Sequence, residues 1–176
     1  MGKRDLINQA VVKEILDYNP ETGILTWKFR EDKWFWGSPG GQDAAWAAKK
    51  WNAKFAGKNL SKHRTSIFNV TYRLPHLIWL WMTGRWPNPA IDHKDGNDLN
   101  NRWNNLRQAT STINNRNRKR LNTNTTGVTG ATLTKDGKFA VYFNRKRVGT
   151  YSTAEEANLA RKQVELKHGY TERHGK

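Results

Sequence analysis

Tryptophan placement divides this chain before any other feature does. Trp27, Trp34, Trp36, Trp46, Trp51, Trp79, Trp81, Trp86 and Trp103 are all the tryptophans in the sequence. Large aromatic side chains dominate core energetics, so a core built on them is available only to the stretch ending near Trp103. Beyond it runs Asn114-Asn-Arg-Asn-Arg-Lys-Arg-Leu-Asn-Thr-Asn-Thr-Thr126, polar and almost without apolar residues, the composition of a connection rather than of a packed element. The expected organisation is a first domain over residues 1–120, a linker over 121–126 and a second, smaller domain over 127–176.

Charge narrows the choice of partner. The chain carries 31 Lys and Arg against 15 Asp and Glu, a formal +16. A surplus of that size points to a polyanion, most simply nucleic acid. From Thr112 to Thr150 there are nine basic residues and one acid, Asp136, so half of the surplus sits in that short stretch. Cysteine is absent, which excludes disulfides and Cys-based zinc sites, and no structural zinc is expected. The apolar run Leu77-Ile-Trp-Leu-Trp-Met82 is far short of the ~20 residues a bilayer span needs. Nothing after Met1-Gly-Lys-Arg reads as a secretory signal. The expectation is a cytoplasmic protein with no membrane partner and no small-molecule cofactor.

The element pattern is mixed. Ile7, Ala10, Val11 and Ile15 repeat at helical spacing within Leu6–Leu16. Asn19 to Gly23 reads as a turn before a strand Ile24–Arg30. Residues 31–65 give no clear period. Ser66–Tyr72 reads as one strand, and Pro75–Thr83 as a buried helix that starts at a proline and stops at Gly84. After the linker, Gly127–Thr134 alternates, Asp136-Gly137 is a strong hairpin signal, and Phe139–Phe143 and Val148–Tyr151 read as two further strands. Ser152 or Thr153 with Glu155 or Glu156 forms a capping box for a helix that Gly169 ends. The predicted fold class is α+β.

The chemistry is concentrated in Ile91-Asp92-His93-Lys-Asp-Gly96 and the asparagine-rich residues after it. Asp95-Gly96 marks a turn, so Asp92 and His93 close one strand and a second returns toward Leu106. Thr110 or Ser111 caps a helix carrying Asn114 and Asn117 one turn apart. A carboxylate (Asp92) and an amide oxygen (Asn114) are hard ligands suited to Mg²⁺ or Mn²⁺. His93 falls on the opposite side of its strand from Asp92, where an imidazole can act as general base on water. An amide such as Asn105 can hold that ring by a hydrogen bond.

This segment resembles the ββα-metal (HNH) nuclease motif in its bacteriophage homing-endonuclease variant. The matching residues are Asp92-His93, Gly96-Asn97, Asn100-Asn-Arg-Trp-Asn-Asn105-Leu-Arg107 and Asn114-x-x-Asn117. Tyr18-Asn-Pro-Glu-Thr-Gly-Ile-Leu-Thr-Trp27 and Trp81-Met-Thr-Gly-Arg-Trp-Pro87 add to the likeness, which spans roughly residues 5–118. It implies one divalent ion, Mg²⁺ or Mn²⁺, on Asp92 and Asn114, with His93 as general base and Asn105 orienting it. It also implies a phage or mobile-element origin and action in the infected bacterial cytoplasm. One position departs. Relatives commonly read Tyr-x-x-His-Arg before the aliphatic helix, whereas here Pro75 follows Tyr72-Arg-Leu and His76 comes one residue later.

Residues 127–169 resemble the AP2-type DNA-binding domain through Gly127-Val128, Gly137-Lys-Phe-Ala-Val-Tyr142, Arg147-Val-Gly-Thr-Tyr151 and Thr153-Ala-Glu-Glu-Ala157. The resemblance implies a three-stranded antiparallel sheet lying in the major groove with a helix behind it. By alternation Phe139, Val141 and Phe143 face the helix. Lys135, Lys138, Tyr142, Arg145 and Arg147 are then the expected DNA-facing residues. Arg107, Arg116, Arg118, Lys119 and Arg120 are expected to track the backbone from the nuclease side. The sequence thus predicts a monomeric, metal-dependent endonuclease acting on double-stranded DNA. The competing expectations are a non-catalytic DNA-binding regulator on a degenerate nuclease scaffold and an RNA-binding basic protein.

Overall fold

The structure is a computed structural model and describes residues 7–35, 43–60 and 63–176. The chain separates into two compact units, Met1–Gln108 and Ala109–Lys176. The division falls upstream of the polar stretch expected to be the linker. That stretch is not loose. The backbone carbonyls of Arg116 and Arg118 accept from Thr171 N–H (3.2 Å) and Gly175 N–H (3.0 Å). The Asn117 side-chain oxygen accepts from Thr171 Oγ1 at 3.0 Å, and Asn117 is buried. Part of its polar composition is satisfied by the C-terminal tail.

In the first unit, α1 (Gln9–Ile15) starts where Asn8 accepts from Val11 N–H, an N-cap contributing about 1 kcal/mol. The Leu6 start expected for this helix lies outside the described residues. The helix stops one residue early, because Leu16 turns extended and opens β1 (Leu16–Asn19). Leu16 and Tyr18 are buried while Asp17 and Asn19 are exposed, a period of two that the helical spacing ahead of it obscures. β1 pairs antiparallel with β2 (Ile24–Trp27), which is shorter than the strand expected to reach Arg30. Within residues 31–65 lies α2 (Ala44–Phe55), capped by Asp43. Arg30 is buried between the rings of Trp27 and Trp51, 4.4 and 4.1 Å from their centroids. Burial lowers its pKa to about 10.

Residues 66–72 are not one strand. They contribute to a hairpin, β3 (Arg64–Ile67) with β4 (Val70–Arg73). Its turn residues Phe68 and Asn69 both have positive φ, as a two-residue hairpin loop requires. The α3 helix (Leu74–Thr83) follows, and Gly84 ends it at φ 75°. Leu74, Leu77, Ile78 and Leu80 join Val12, Ile15, Leu16, Leu25, Ile67 and Leu106 in the core. Trp81 and Trp86 pack against this core, Trp81 edge-on to Tyr18 and Trp86 stacked on Tyr72. The unit closes with β5 (Ile91–His93) paired antiparallel to β6 (Leu106–Gln108).

The second unit begins with the short α4 (Ser111–Arg116), capped by Thr110. Asn114 lies on the helix, but Asn117 is the residue that ends it. A three-stranded antiparallel sheet follows in the order β7 (Ala131–Leu133), β8 (Phe139–Phe143), β9 (Lys146–Tyr151). The first strand is shorter than the expected 127–134. Then comes α5 (Ala154–Lys167), with the capping box formed by Thr153 and Glu156. Among the described residues no helix is long and apolar enough to cross a membrane.

The apolar core here is small, centred on Val128, Val141 and Ala157. A buried ion cluster supplements it. Glu165, 1% exposed, accepts from Arg161 Nε at 2.6 Å and from Lys162 Nζ at 3.3 Å, and His174 Nδ1 lies 3.0 Å away. Burial pushes this carboxyl up, but the hydrogen bonds from Arg161 and His174 outweigh burial, so its pKa falls below the ordinary 4.5. A depressed carboxyl stabilises the fold above its unfolded pKa, and that contribution drains away as pH falls through the folded value. The second unit is therefore expected to lose stability on acidification below pH ~4.3, where free Glu begins to protonate. Glu165→Ala should remove about 1–3 kcal/mol, because the partly buried Arg161 and Lys162 lose their carboxylate partner. Thermal melts at pH 7 and pH 3.5 check both, since the variant should show the smaller pH dependence.

Candidate active site

The segment between β5 and β6 contains little regular structure, yet it is tightly held. Asp95 is its hub. The Asp95 carboxylate accepts from Asn97 N–H (2.8 Å), Asn100 Nδ2 (2.7 Å) and Asn105 Nδ2 (2.9 Å). The Asn105 side-chain oxygen in turn accepts from Asp95 N–H at 3.0 Å, and its Nδ2 also donates to the Asn100 carbonyl at 2.7 Å. Burial raises the Asp95 pKa, but these hydrogen bonds from Asn100, Asn97 and Asn105 prevail and hold it below the usual 3.8. Asn105 is buried, and these contacts make it a clamp on the loop.

His93, half-buried at the end of β5, has its Nε2 3.0 Å from Asn101 Oδ1. Asn101 is itself buried and fixed from behind, because Tyr18 donates its hydroxyl to the Asn101 carbonyl at 2.7 Å. Burial drives the Tyr18 pKa up to about 12, so the phenol stays a donor. The β1–β2 turn adds a second hold, with Trp103 N–H donating to the Pro20 carbonyl at 3.0 Å. Gly23 sits hard against this loop at φ +77°. A Cβ there would stand 2.5 Å from Arg102 N and 2.6 Å from the Asn101 carbonyl carbon. The N-terminal hairpin is thus the wall on which the His93 loop is mounted.

Asp92 is cross-strand from Arg107. Arg107 donates through Nε (2.9 Å) and Nη2 (2.7 Å) to one oxygen, Asp92 Oδ2. This places Arg107, expected on the DNA track, against the expected metal ligand. In the second unit, Asn114 Oδ1 is buried and has no hydrogen-bond partner among the described residues. A buried amide oxygen left bare is costly and is the arrangement a cation ligand shows before its cation. Among the described residues no group of three or more His, Cys, Asp or Glu is gathered for a metal.

Of the other expected contacts, Arg118, Lys119, Arg120, Lys135, Lys138, Tyr142, Arg145 and Arg147 are exposed on the second unit. Arg120 donates to the Gly127 carbonyl, and Arg147 to Thr150 Oγ1. Arg116 is partly buried over the Tyr170 ring. Sequence reasoning passed over Asp95, Asn101 and Tyr18. Asp95 carried a visible signal, since an Asp ahead of Gly-Asn is a typical side-chain acceptor for the turn it starts. Asn101 and Tyr18 meet across 83 residues and carried none.

Two substitutions test this mounting. Gly23→Ala should destabilise the first unit by about 1–3 kcal/mol more than Gly57→Ala. Gly57 has nearly the same φ, +76°, but open space around it, so paired denaturant titrations isolate the loop contact from the backbone cost. Asp95→Ala should remove about 1–3 kcal/mol and shift the NMR resonances of residues 93–105 while leaving α5 unmoved.

Comparison with curated proteins and with solved structures returns no match. Residues 72–116 match the family model of the HNH endonuclease. The match runs from β4 through the Asp92-His93 strand and its loop to the end of α4, and so includes the place where His93 is mounted.

Proposed function

We propose that this chain is a metal-dependent DNA endonuclease that hydrolyses a phosphodiester bond with His93 as its general base. The observation that carries the reading is the His93–Asn101 pair within the segment that matches the HNH endonuclease family. An amide oxygen facing Nε2 makes that nitrogen the donor and so fixes the tautomer of the ring proposed as general base. Asn101 is thus the residue that sets the tautomer, while Asn105 keeps the loop closed behind it.

The motif assigns Asp92 and Asn114 to one divalent ion, Mg²⁺ or Mn²⁺. Their hard oxygens, and the bare Asn114 Oδ1 in particular, fit such an ion. Bound there, it would supply positive charge to the phosphorane and to the leaving oxygen. The second unit is proposed to add affinity. Tyr142 on β8 and the exposed Lys138, Arg145 and Arg147 around it suit a sheet that docks on duplex DNA. A monomer acting in the cytoplasm of a phage-infected bacterium, as a homing-type enzyme, completes the proposal.

A second reading is favoured by one observation. Arg107 already neutralises Asp92, as it would in a scaffold that has given up its metal and only binds DNA. Incubation of supercoiled plasmid with the protein and Mg²⁺ or Mn²⁺ separates the two. Nicking or linearisation that EDTA stops supports the enzyme, and no cleavage with either ion leaves the regulator. His93→Ala should lower the cleavage rate by ~10²–10⁴-fold with DNA affinity nearly unchanged. Loss of both together would mean that His93 is structural.

A further inference from the structure

The β3–β4 hairpin contains a pairing that the fold does not need. Arg64 and Arg73 stand directly opposite each other across its strands, and both are exposed. Like charges in that position destabilise a hairpin. Neither arginine forms an ion pair among the described residues. Both line two cavities, of about 260 and 380 Å³, and His76 lines both as well. His93 lines the larger cavity. Asp98, which also lines the larger cavity, lies 3.6 Å from His63 Nδ1 and forms no salt bridge with either arginine among the described residues. An anion seated between Arg64 and Arg73 would turn a repulsive cross-strand contact into two charge-assisted hydrogen bonds. His76, one residue beyond the place where the family commonly has its histidine, would stand beside that anion.

We propose that Arg64 and Arg73, with His76, form a grip for one backbone phosphate of duplex DNA, and that this grip positions the strand along the cavity that His93 lines. They are positioning residues, since they hold the substrate and take no part in the proton transfer. The proposal rests on duplex DNA as the substrate, but its binding part does not need cleavage to occur.

The test uses the full chain, a duplex of fixed sequence, and the paired variants R64Q/R73Q and R64K/R73K. The Gln pair should reduce the slope of log affinity against log salt by about one unit, the signature of one phosphate contact. It should raise KM for Mg²⁺-dependent cleavage by about tenfold or more, as loss of a charge-assisted contact predicts, and change kcat much less. The Lys pair should recover most of the affinity. Without DNA at low salt, Tm of the Gln pair should equal or exceed that of the wild type, because the Arg–Arg repulsion is relieved. Inorganic phosphate at low ionic strength should raise the wild-type Tm more than that of the Gln pair. An unchanged salt slope and KM, or a fall in Tm that accounts for the lost binding, would overturn the grip. A wild type that binds DNA but cuts with no metal would sink the nuclease reading alone, leaving the salt slope to decide the grip.

Discussion

The loop from Lys94 to Asn104 is held mainly by hydrogen bonds. Lys94, Asp95, Asn97, Asp98, Leu99, Arg102 and Asn104 are exposed along it, and its apolar anchor is Trp103, which packs against the core. What holds it is a set of N–H donors, the Asn97 backbone and the Asn100 and Asn105 side-chain amides, that converge on a single carboxylate, Asp95. Each such bond is modest alone, but together they close a ring whose members fix one another. Asn101 is presented to His93 because that ring is closed and because Tyr18 anchors the Asn101 carbonyl. The position of the proposed base therefore depends on polar contacts, while the apolar core supplies only the wall behind them.

The two units solve the same problem differently. The first buries a continuous set of aliphatic residues from α1, β1, β2 and α3, with tryptophans packed around it. The second has only a few small apolar residues at its centre and completes its interior with Glu165 and the Arg161, Lys162 and His174 side chains around it. A buried ion cluster is an inefficient stabiliser compared with hydrophobic packing. It is directional, however, and here it fixes where the C-terminal tail lies.

How legible each part was depends on how local its cause is. The helix from Leu74 to Thr83 was readable because Pro75 and Gly84 mark its ends. The β5–β6 pair was readable because Asp95-Gly96 marks the turn between its strands. The β3–β4 hairpin was hidden because its turn is Phe68-Asn69, and a phenylalanine at positive φ has no turn signature. The second helix was hidden because alanines and lysines among its tryptophans blur the apolar period. At the site, Asp92, His93, Asn105 and Asn114 were named from their chemistry and from the resemblance to the HNH motif. Asn101 and Tyr18 were not, since their meeting is a product of tertiary structure.

The bonding of Arg116–Arg118 to the C-terminal tail also decides where such a gene can be cut and rejoined. The asparagine- and arginine-rich stretch looks like the natural seam for recombination. A crossover there would part Asn117 from Thr171 and Arg173 and expose an amide that is now buried. A crossover between Gln108 and Ala109 keeps those bonds intact. Asn114 would then travel with the C-terminal unit. A chimera would inherit the last asparagine of the motif from one parent and His93 from the other.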